Sequence, residues 1–306
     1  VYTNKIPGGA FRGYGFPQTT FASELQVARL AEKLGIDPVT MRTINCYQEG
    51  STFPTQSPIP AGVNLENLVE KCALEIGLHK TPGGWEKNAQ SSPAPHIRRG
   101  IGIAAGMKSS GFSLGFPEGS EAKVVLYGKA EIDRAEVFTA SPDVGQGVHT
   151  AMLQIAAEAL EIPTSLIEMK TSDTKIIGDS GPASASRLTL FAGNAVKLAA
   201  EQALERWQDE DRPAVGHCRW DAPKTSPDDH ITAGEISVNS MLYGAHAVQL
   251  AVDVETGSIT VERIAAAHDP GASVNRQQVE GQIEGGVIQA LGWSLYENFI
   301  LSDGAI

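Results

Sequence analysis

The amino-acid sequence predicts an α+β fold, in which helices and strands are mixed. Three observations support this class. The chain has 306 residues, of which 42% are hydrophobic and 20% charged, so it can bury a substantial core. Apolar residues recur at helical spacing in roughly the first 80 positions and alternate with period two in several later segments. The order of these segments lacks the strict strand–helix alternation of a doubly wound sheet.

Three helices are predicted in the N-terminal part. The first runs from about Gln18 to Leu34 and carries one apolar face, formed by Phe21, Leu25, Ala28 and Ala31. The second begins at Asp37-Pro38, because aspartate is a favoured N-cap and proline a favoured first helical residue. The third spans about Leu65 to Ile76 and follows Asn64, another capping residue.

A linker is predicted next. The stretch from Thr81 to Pro95 is rich in Pro, Gly and Ser, and we place the linker at residues 83–96. This divides the chain into residues 1–82, the end of a first domain, and residues 97–306, most of a second.

The second part mixes strands and helices. Strands are predicted at about Ile101–Met107, Ala122–Tyr127, Ala135–Thr139 and Leu166–Thr171. A hairpin is predicted around the turn Glu255-Thr256-Gly257, since apolar residues alternate on both sides of it. Helices are predicted at about Val148–Leu160, Ser186–Trp207 and Arg276–Tyr296.

Composition excludes several classes of function. Lys and Arg total 24 against 36 Asp and Glu, a net charge of −12, which argues against nucleic-acid binding. No run approaches the roughly 18 apolar residues of a membrane span. The three cysteines, Cys46, Cys72 and Cys218, are too far apart for a disulfide framework or a CxxC motif and predict reduced thiols in the cytoplasm. Without an HExxH pattern, no direct ligation of a metal by the protein is predicted.

One motif suggests a hydrolase. The segment Gly111–Gly115 matches GxSxG, the nucleophile elbow of α/β-hydrolases, so a hydrolase that uses Ser113 is a distant alternative. That elbow places its serine between a strand and a helix, whereas here a second predicted strand follows. A glycine-rich loop between strands explains the same residues.

Four turns of glycine or small residues favour a large, phosphate-bearing cofactor. They are Gly8–Gly13, Gly145–Gly147, Ser184–Ser186 and Glu284–Gly286. The first three lie at or before predicted helix N-termini, where free N–H groups and the helix dipole attract anions. Gln146 and Gln289 could add directional amide hydrogen bonds. Each turn by itself is also compatible with a simple tight connection.

Four segments carry a resemblance to a known family. Gly9–Gln18 resembles an AFRGFGxPQ motif, Asp143–Thr150 a GQGxxT motif, and Gly281–Gly292 a Q-x-x-G-x-x-x-Q-G-L-G helix. Ser184–Val196 is similar to a third cofactor-contacting segment. Together, and in this order, they resemble the molybdenum hydroxylases, the xanthine dehydrogenase and aldehyde oxidase family.

The resemblance implies parts of two molybdopterin-binding domains with the cofactor between them. The implied cofactor is molybdenum with molybdopterin, usually as the cytosine dinucleotide in bacteria. The family hydroxylates an N-heteroaromatic or aldehyde carbon with oxygen from water, and electrons leave through iron–sulfur and FAD subunits or domains. The implied cofactor-binding residues are Ala10, Phe11, Arg12, Gly145, Gln146, Gly147, Ala185, Ser186 and Gln289.

Two aromatic residues match positions at which family members hold flat substrates. Tyr14 follows the AFRG run by one residue, and Phe112 lies in the loop after the second domain's first strand. Two rings across a slot would favour an N-heteroaromatic substrate over an aliphatic aldehyde. Core packing of Tyr14 and simple exposure of Phe112 are the alternative interpretation.

The resemblance also implies that parts of the site lie outside this chain. The family's catalytic base, a glutamate in a Gly-Glu-Pro type segment, is expected beyond Ile306, and a GFGG-type segment before Val1. We therefore interpret the chain as an internal fragment with no catalytic residue of its own, inactive and without cofactor. A family member that has lost catalysis and serves as a scaffold or binding subunit is the alternative for the whole protein.

Overall fold

The computed structural model describes residues 2, 8–54, 56–87, 94–227, 235–236 and 238–303. The helices within these ranges are α1 (Phe16–Leu34), α2 (Pro38–Asn45), α3 (Leu65–Glu75), α4 (Val148–Leu160), α5 (Leu188–Gln208) and α6 (Arg276–Leu295). The strands are β1 (Leu78–Thr81), β2 (Gly84–Lys87), β3 (Ile97–Ser110), β4 (Gly119–Gly128), β5 (Ile132–Thr139), β6 (Ile167–Lys170), β7 (Ala214–Asp221), β8 (Ser240–Asp253) and β9 (Ile259–Asp269). The predicted α+β class is confirmed.

The predicted capping residues Asp37 and Asn64 are the N-caps of helices α2 and α3. The Asp37 carboxylate accepts hydrogen bonds from the N–H groups of Val39 and Thr40, at 3.0 and 2.9 Å, at the start of α2. Asn64 accepts one from the N–H of Asn67, at 3.1 Å, at the start of α3. Each side chain satisfies N–H groups that have no partner inside the helix.

The chain forms two compact units, and each unit consists of segments that are separated in the sequence. Unit 1 comprises Val1–Lys108, Met241–Gly271 and Leu291–Ile306, and unit 2 comprises Ser109–Ser240 and Ala272–Ala290. The division into two family domains at residues 83–96 stays a prediction, because the boundary between the two compact units does not fall there.

Unit 1 is built on a three-stranded sheet of order β3-β8-β9, with β8 and β9 antiparallel. Helix α3 packs on this sheet, and the antiparallel hairpin β1–β2 adds to the same core. The buried residues shared by these elements include Val69, Cys72, Ala73, Trp85, Ile103, Ala245 and Ala247.

Unit 2 is built on a four-stranded sheet of order β6-β5-β4-β7. Its strand pairs are antiparallel except for β5 and β6, which are parallel. Helices α4 and α5 bury its core, and α5 lies against β4 and β7. The residues of α5 that lie in this core are mostly small: Ala192, Ala195, Val196, Ala199, Ala200 and Ala203. Small side chains let the helix approach the sheet closely.

Two regions differ from the predicted elements. Gly84–Lys87, within the predicted linker, forms strand β2, and Trp85 is 8% exposed in the unit 1 core. Pro82 and Gly83 are thus the turn of a hairpin. Residues 88–93 of the predicted linker lie outside the described residues. Strands β1 and β7 are not among the predicted elements.

Helix α1 matches its predicted bounds, but its predicted apolar face is largely uncovered in this chain. Ala31 is buried at 1% exposure, whereas Phe21 and Leu25 are 71% and 41% exposed. None of the helices in the described ranges is long and apolar enough to cross a membrane.

Candidate cofactor site

Residues Ala10–Tyr14 form an exposed turn that leads into α1 in unit 1. The N–H of Tyr14 donates to the carbonyl oxygen of Phe11 at 2.7 Å. The turn continues through Gly13 and Tyr14, both with positive φ, of 90° and 47°. The ring of Phe11 lies 5.6 Å from the ring of Trp293, so this contact holds one side of the turn. Ala10, Arg12 and Tyr14 are exposed, which leaves their surfaces open to a ligand.

The loop before α4 is organised by Asp143. Its carboxylate accepts hydrogen bonds from the N–H groups of Gly145 at 2.8 Å, Gly147 at 3.3 Å and His149 at 3.4 Å. Partial burial opposes ionisation of this carboxyl, but the three N–H donors outweigh it and lower the pKa of Asp143 below its usual value. The carboxylate thus fixes the loop that contains the predicted cofactor residues Gly145–Gly147.

The side chain of Gln146 is folded back on the same loop. Its Oε1 accepts from the N–H of Val144 at 2.6 Å, and its Nε2 donates to the carbonyl oxygen of Pro142 at 2.8 Å. Both ends of the amide are therefore engaged, and a contact with a ligand would exchange one of these bonds.

Helix α6 begins beside this loop. Asn275 caps the helix by accepting from the N–H of Gln278 at 2.9 Å, and it donates to Gln154 of α4 at 3.0 Å. Gln278 in turn donates to the carbonyl oxygen of Gly147 at 3.3 Å. A Cβ on Gly147 would lie 2.4 Å from Gln278 Nε2, so the glutamine would have to move, and the φ of 80° itself favours glycine. Gln289 lies further along α6 and is partly buried.

A second pair of predicted segments meets elsewhere in unit 2. The N–H of Gly111 donates to the carbonyl oxygen of Ala185, and Ser110 Oγ donates to that of Ser186, both at 2.8 Å. Ala185 and Ser186 have positive φ, of 54° and 53°, which is why α5 starts at Leu188 and not at the predicted Ser186. The predicted substrate residue Phe112 follows Gly111 directly, so it is held next to the predicted cofactor residues Ala185 and Ser186.

Buried hydroxyl groups connect these two loop regions. Thr139 Oγ1 lies 2.9 Å from Ser141 Oγ and 3.1 Å from Ser180 Oγ. His149 Nε2 donates to the carbonyl oxygen of Ser141 at 2.8 Å, and Arg187 Nη1 donates to that of Ser180 at 2.9 Å. The loop before α4 and the segment before α5 are thus tied into one hydrogen-bond network, which makes their relative position rigid.

The hydrolase alternative is wrong. Ser113 lies in the loop between β3 and β4, no helix follows it, and it is 1% exposed. Its Oγ accepts a hydrogen bond from the N–H of Asn239 at 3.2 Å. A nucleophile elbow needs an exposed serine on a strand-to-helix turn.

Unit 2 therefore brings together two groups of predicted residues. One group is Gly145–Gly147, and the other consists of Ala185, Ser186 and Phe112. Gln289 also lies in unit 2, whereas the remaining predicted residues, Ala10–Arg12 and Tyr14, lie in unit 1. Their convergence with the unit 2 loops stays a prediction. Asp143 and Gln278 were not predicted as site residues, although an aspartate two residues before a glycine in a loop is a known turn-forming signal.

Comparisons with known proteins match most of the chain. Two models of a molybdopterin cofactor-binding domain match the chain, one at residues 1–46 and the other at residues 77–226 and 210–306. The chain belongs to this molybdopterin-binding family. The predicted resemblance to the molybdopterin-binding region of the molybdenum hydroxylases is confirmed.

Relatives of this molybdopterin-binding chain are oxidoreductases by name. It is 34% identical to an aldehyde oxidoreductase of Megalodesulfovibrio gigas, over 98% of this chain and 33% of the relative. It is 29% identical to a putative xanthine dehydrogenase molybdenum-binding subunit of Escherichia coli K12, over 98% of this chain and 43% of the relative. A solved structure of the aldehyde oxidoreductase from Desulfovibrio gigas superposes with a TM-score of 0.83 at 31% identity, over 96% of this chain and 33% of the other. The chain thus spans about a third of both aldehyde oxidoreductases and 43% of the xanthine dehydrogenase subunit.

The residues at the predicted positions fit a molybdopterin cofactor by their chemistry. They offer backbone N–H groups, carboxamides and one arginine, which can hold a polar, phosphate-bearing ligand without competing for its metal. A Cβ added to Gly145 would meet nothing within 4 Å, so the backbone there is open to close approach. Among the described residues, no group of three or more His, Cys, Asp or Glu side chains could hold a metal ion.

Proposed function

We propose that the whole protein is a molybdenum hydroxylase that oxidises an N-heteroaromatic or aldehyde carbon. The observation that carries this proposal is the structural match to an aldehyde oxidoreductase over 96% of the chain at 31% identity. When bound, the molybdenum cofactor supplies the two-electron oxidation that inserts oxygen from water. Electrons then pass to iron–sulfur and FAD partners; a related chain is itself named a molybdenum-binding subunit.

The chain's own residues bind and orient in this proposal. The amide groups of Ala10–Arg12, Gln146, Ala185, Ser186 and Gln289 hold the cofactor through hydrogen bonds. Gly145 and Gly147, whose N–H groups bind Asp143, let the cofactor approach the backbone closely. Neutral donors suit this role because they carry fixed dipoles and do not titrate. Gln146 exchanges its bond with Pro142 or Val144 for a bond to the cofactor, which costs little since one hydrogen bond replaces another.

Tyr14 and Phe112 hold a flat substrate. Tyr14 is 76% and Phe112 is 38% exposed, so neither ring is core packing and both surfaces are accessible in their own units. Ring stacking contributes roughly 0.5–1.5 kcal/mol per aromatic pair beyond area burial. The tyrosine hydroxyl can also donate to a ring nitrogen or carboxylate of the substrate.

The cofactor form and the compartment are further parts of the proposal. We propose the cytosine dinucleotide form, which acid hydrolysis would identify by release of CMP. We also propose a cytoplasmic setting, because all three cysteines are unpaired.

Metal and pterin analysis of the whole protein tests the function. Molybdenum and pterin near one per chain, with oxidation of an aldehyde or an N-heterocycle in water, would support an enzyme. A protein that folds without either would instead support a scaffold or binding subunit.

The substrate slot is tested by kinetics of the loaded whole protein. Tyr14→Ala and Phe112→Ala should each lower kcat/KM for a heteroaromatic substrate by about tenfold, the loss of roughly one aromatic contact. Molybdenum content should stay at the wild-type level. Normal turnover by both variants would show that neither ring contacts the substrate.

A further inference from the structure

A fully buried ion pair lies at the base of the Phe112 loop in unit 2. Arg187 Nε is 3.1 Å from Glu118 Oε1, and each side chain is 1% exposed. The guanidinium also donates to the carbonyl oxygens of Ser180 at 2.9 Å and Gly119 at 2.6 Å. Burial of two charges is costly unless both are paired and their remaining donors are satisfied. Here each nitrogen of the guanidinium has a partner.

The second oxygen of Glu118 holds the turn that carries Phe112. Its Oε2 accepts hydrogen bonds from the N–H groups of Phe112 at 2.9 Å and Ser113 at 3.0 Å. Ser113 and Leu114 have positive φ, of 55° and 50°, a conformation that is costly for residues other than glycine. The carboxylate therefore stabilises a strained turn, and it does so through the N–H groups of Phe112 and of the residue that follows it.

Two glycines leave room for this arrangement. A Cβ on Gly111, whose φ is 83°, would lie 2.8 Å from Glu118 Oε2. A Cβ on Gly181, whose φ is 66°, would lie 2.4 Å from Arg187 Nη1. The backbone thus closes around both charged groups, which fixes their positions and leaves the turn little freedom.

The ring that this turn presents is exposed and supported on one side. Phe112 is 38% exposed, and its ring lies 5.1 Å from the ring of Phe116, which is 57% exposed. The buried carboxylate thus binds the same turn that carries this aromatic surface. The ion pair between Glu118 and Arg187 therefore fixes the backbone from which the Phe112 side chain extends.

We propose that Glu118, oriented by Arg187, is a positioning residue that sets the Phe112 ring for aromatic substrates. This rests on the proposed function, in which Phe112 contacts the substrate. Glu118 itself touches neither substrate nor cofactor. Its effect is on selectivity between flat and small substrates.

Hydrogen–deuterium exchange of the 306-residue chain tests the contact itself. Glu118→Gln leaves Arg187 without its counter-charge, and the double variant Glu118→Leu with Arg187→Met removes both charges and the acceptor. The double variant should speed exchange at the Phe112 and Ser113 amides by about tenfold, as expected for the loss of one hydrogen bond. Glu118→Gln should speed it less, because its amide oxygen can still accept. Leu160→Ala is the control, since Leu160 is 2% exposed in the same core at the far end of α4. Unchanged exchange at these amides in the double variant would overturn the proposal.

Selectivity of the whole, molybdenum-loaded protein tests the role. The ratio of kcat/KM for a heteroaromatic aldehyde to that for acetaldehyde should fall about tenfold in the double variant, mostly through KM, and remain at the wild-type value in Leu160→Ala. Phe112→Leu should lower the ratio similarly. A ratio that falls in Phe112→Leu but not in the double variant would refute positioning by Glu118. A wild-type protein without molybdenum or turnover would instead refute the proposed function and leave the exchange result standing.

Discussion

At the scale of single residues, His246 and His268 form a contact that should control acid stability. Their Nε2 atoms lie 2.7 Å apart on strands β8 and β9, where a Cβ on Gly244 would meet His268. Burial, and then the charge of His268, lowers the pKa of His246 to about 4, and burial lowers that of His268. Only one ring need donate, so the contact is made by neutral rings.

The sign of the pH dependence follows from these lowered pKa values. The unfolded chain takes up protons below its ordinary histidine pKa of about 6.5, while folded His246 does so only near pH 4. The free energy of unfolding should therefore fall as pH drops from about 6.5 to about 4, by up to roughly 1.4 kcal/mol per pH unit for one histidine. Urea unfolding across this range measures it. His246→Gln should flatten the dependence, whereas the exposed His79→Gln should retain the wild-type slope.

At the scale of elements, a glycine in β7 sets how closely α5 approaches the sheet. A Cβ on Gly216 would lie 1.9 Å from the carbonyl oxygen of Ala199 and 2.6 Å from the nitrogen of Ala203, both in α5. Neither backbone atom can move without separating helix and strand. We expect Gly216→Ala to lower the free energy of unfolding by about 2–4 kcal/mol, because it overpacks a fixed contact. Thermal unfolding measures this change.

A matched strand glycine provides the control. Gly102 in β3 is exposed, and a Cβ there would meet nothing within 4 Å. Gly102→Ala should be neutral or slightly stabilising, since alanine reduces the freedom of the unfolded chain. Equal losses of stability in both variants would contradict the close contact at Gly216.

The same contact explains why sequence alone predicts most elements but not β7. Helices α2 and α3 are predictable because Asp37 and Asn64 are local caps whose bonds depend on neighbouring residues only. In β7 the inward positions near its start are Ala214 and Gly216, so the strand lacks the large apolar residues that make a period of two visible. Its small residues are required by the close approach of helix α5, and a local sequence pattern carries no information on that contact.

At the scale of the whole molecule, the candidate site is predictable in part for a similar reason. Residues Gly145–Gly147 and Ser186 are marked by motifs and turns that their own neighbours produce. Glu118 and Arg187 are 69 positions apart, and only the fold brings the carboxylate to the guanidinium. Buried charge pairs of this kind have no spacing rule, so their partners cannot be predicted from one sequence.

The cofactor should need more than this chain. The predicted cofactor residues are divided between the two compact units. The aldehyde oxidoreductase of Megalodesulfovibrio gigas matches 98% of this chain, but the match covers only 33% of that relative. A ligand that lies between domains loses binding contacts when part of its surroundings is missing, and ordering its loops costs about 1–2 kcal/mol per residue. We therefore expect the purified 306-residue chain to contain well under one molybdenum per chain and to oxidise neither aldehydes nor heterocycles. Elemental analysis of this chain beside the whole protein, prepared from the same cells, measures the difference. Stoichiometric molybdenum in the isolated chain would show that its two units hold the cofactor without further polypeptide.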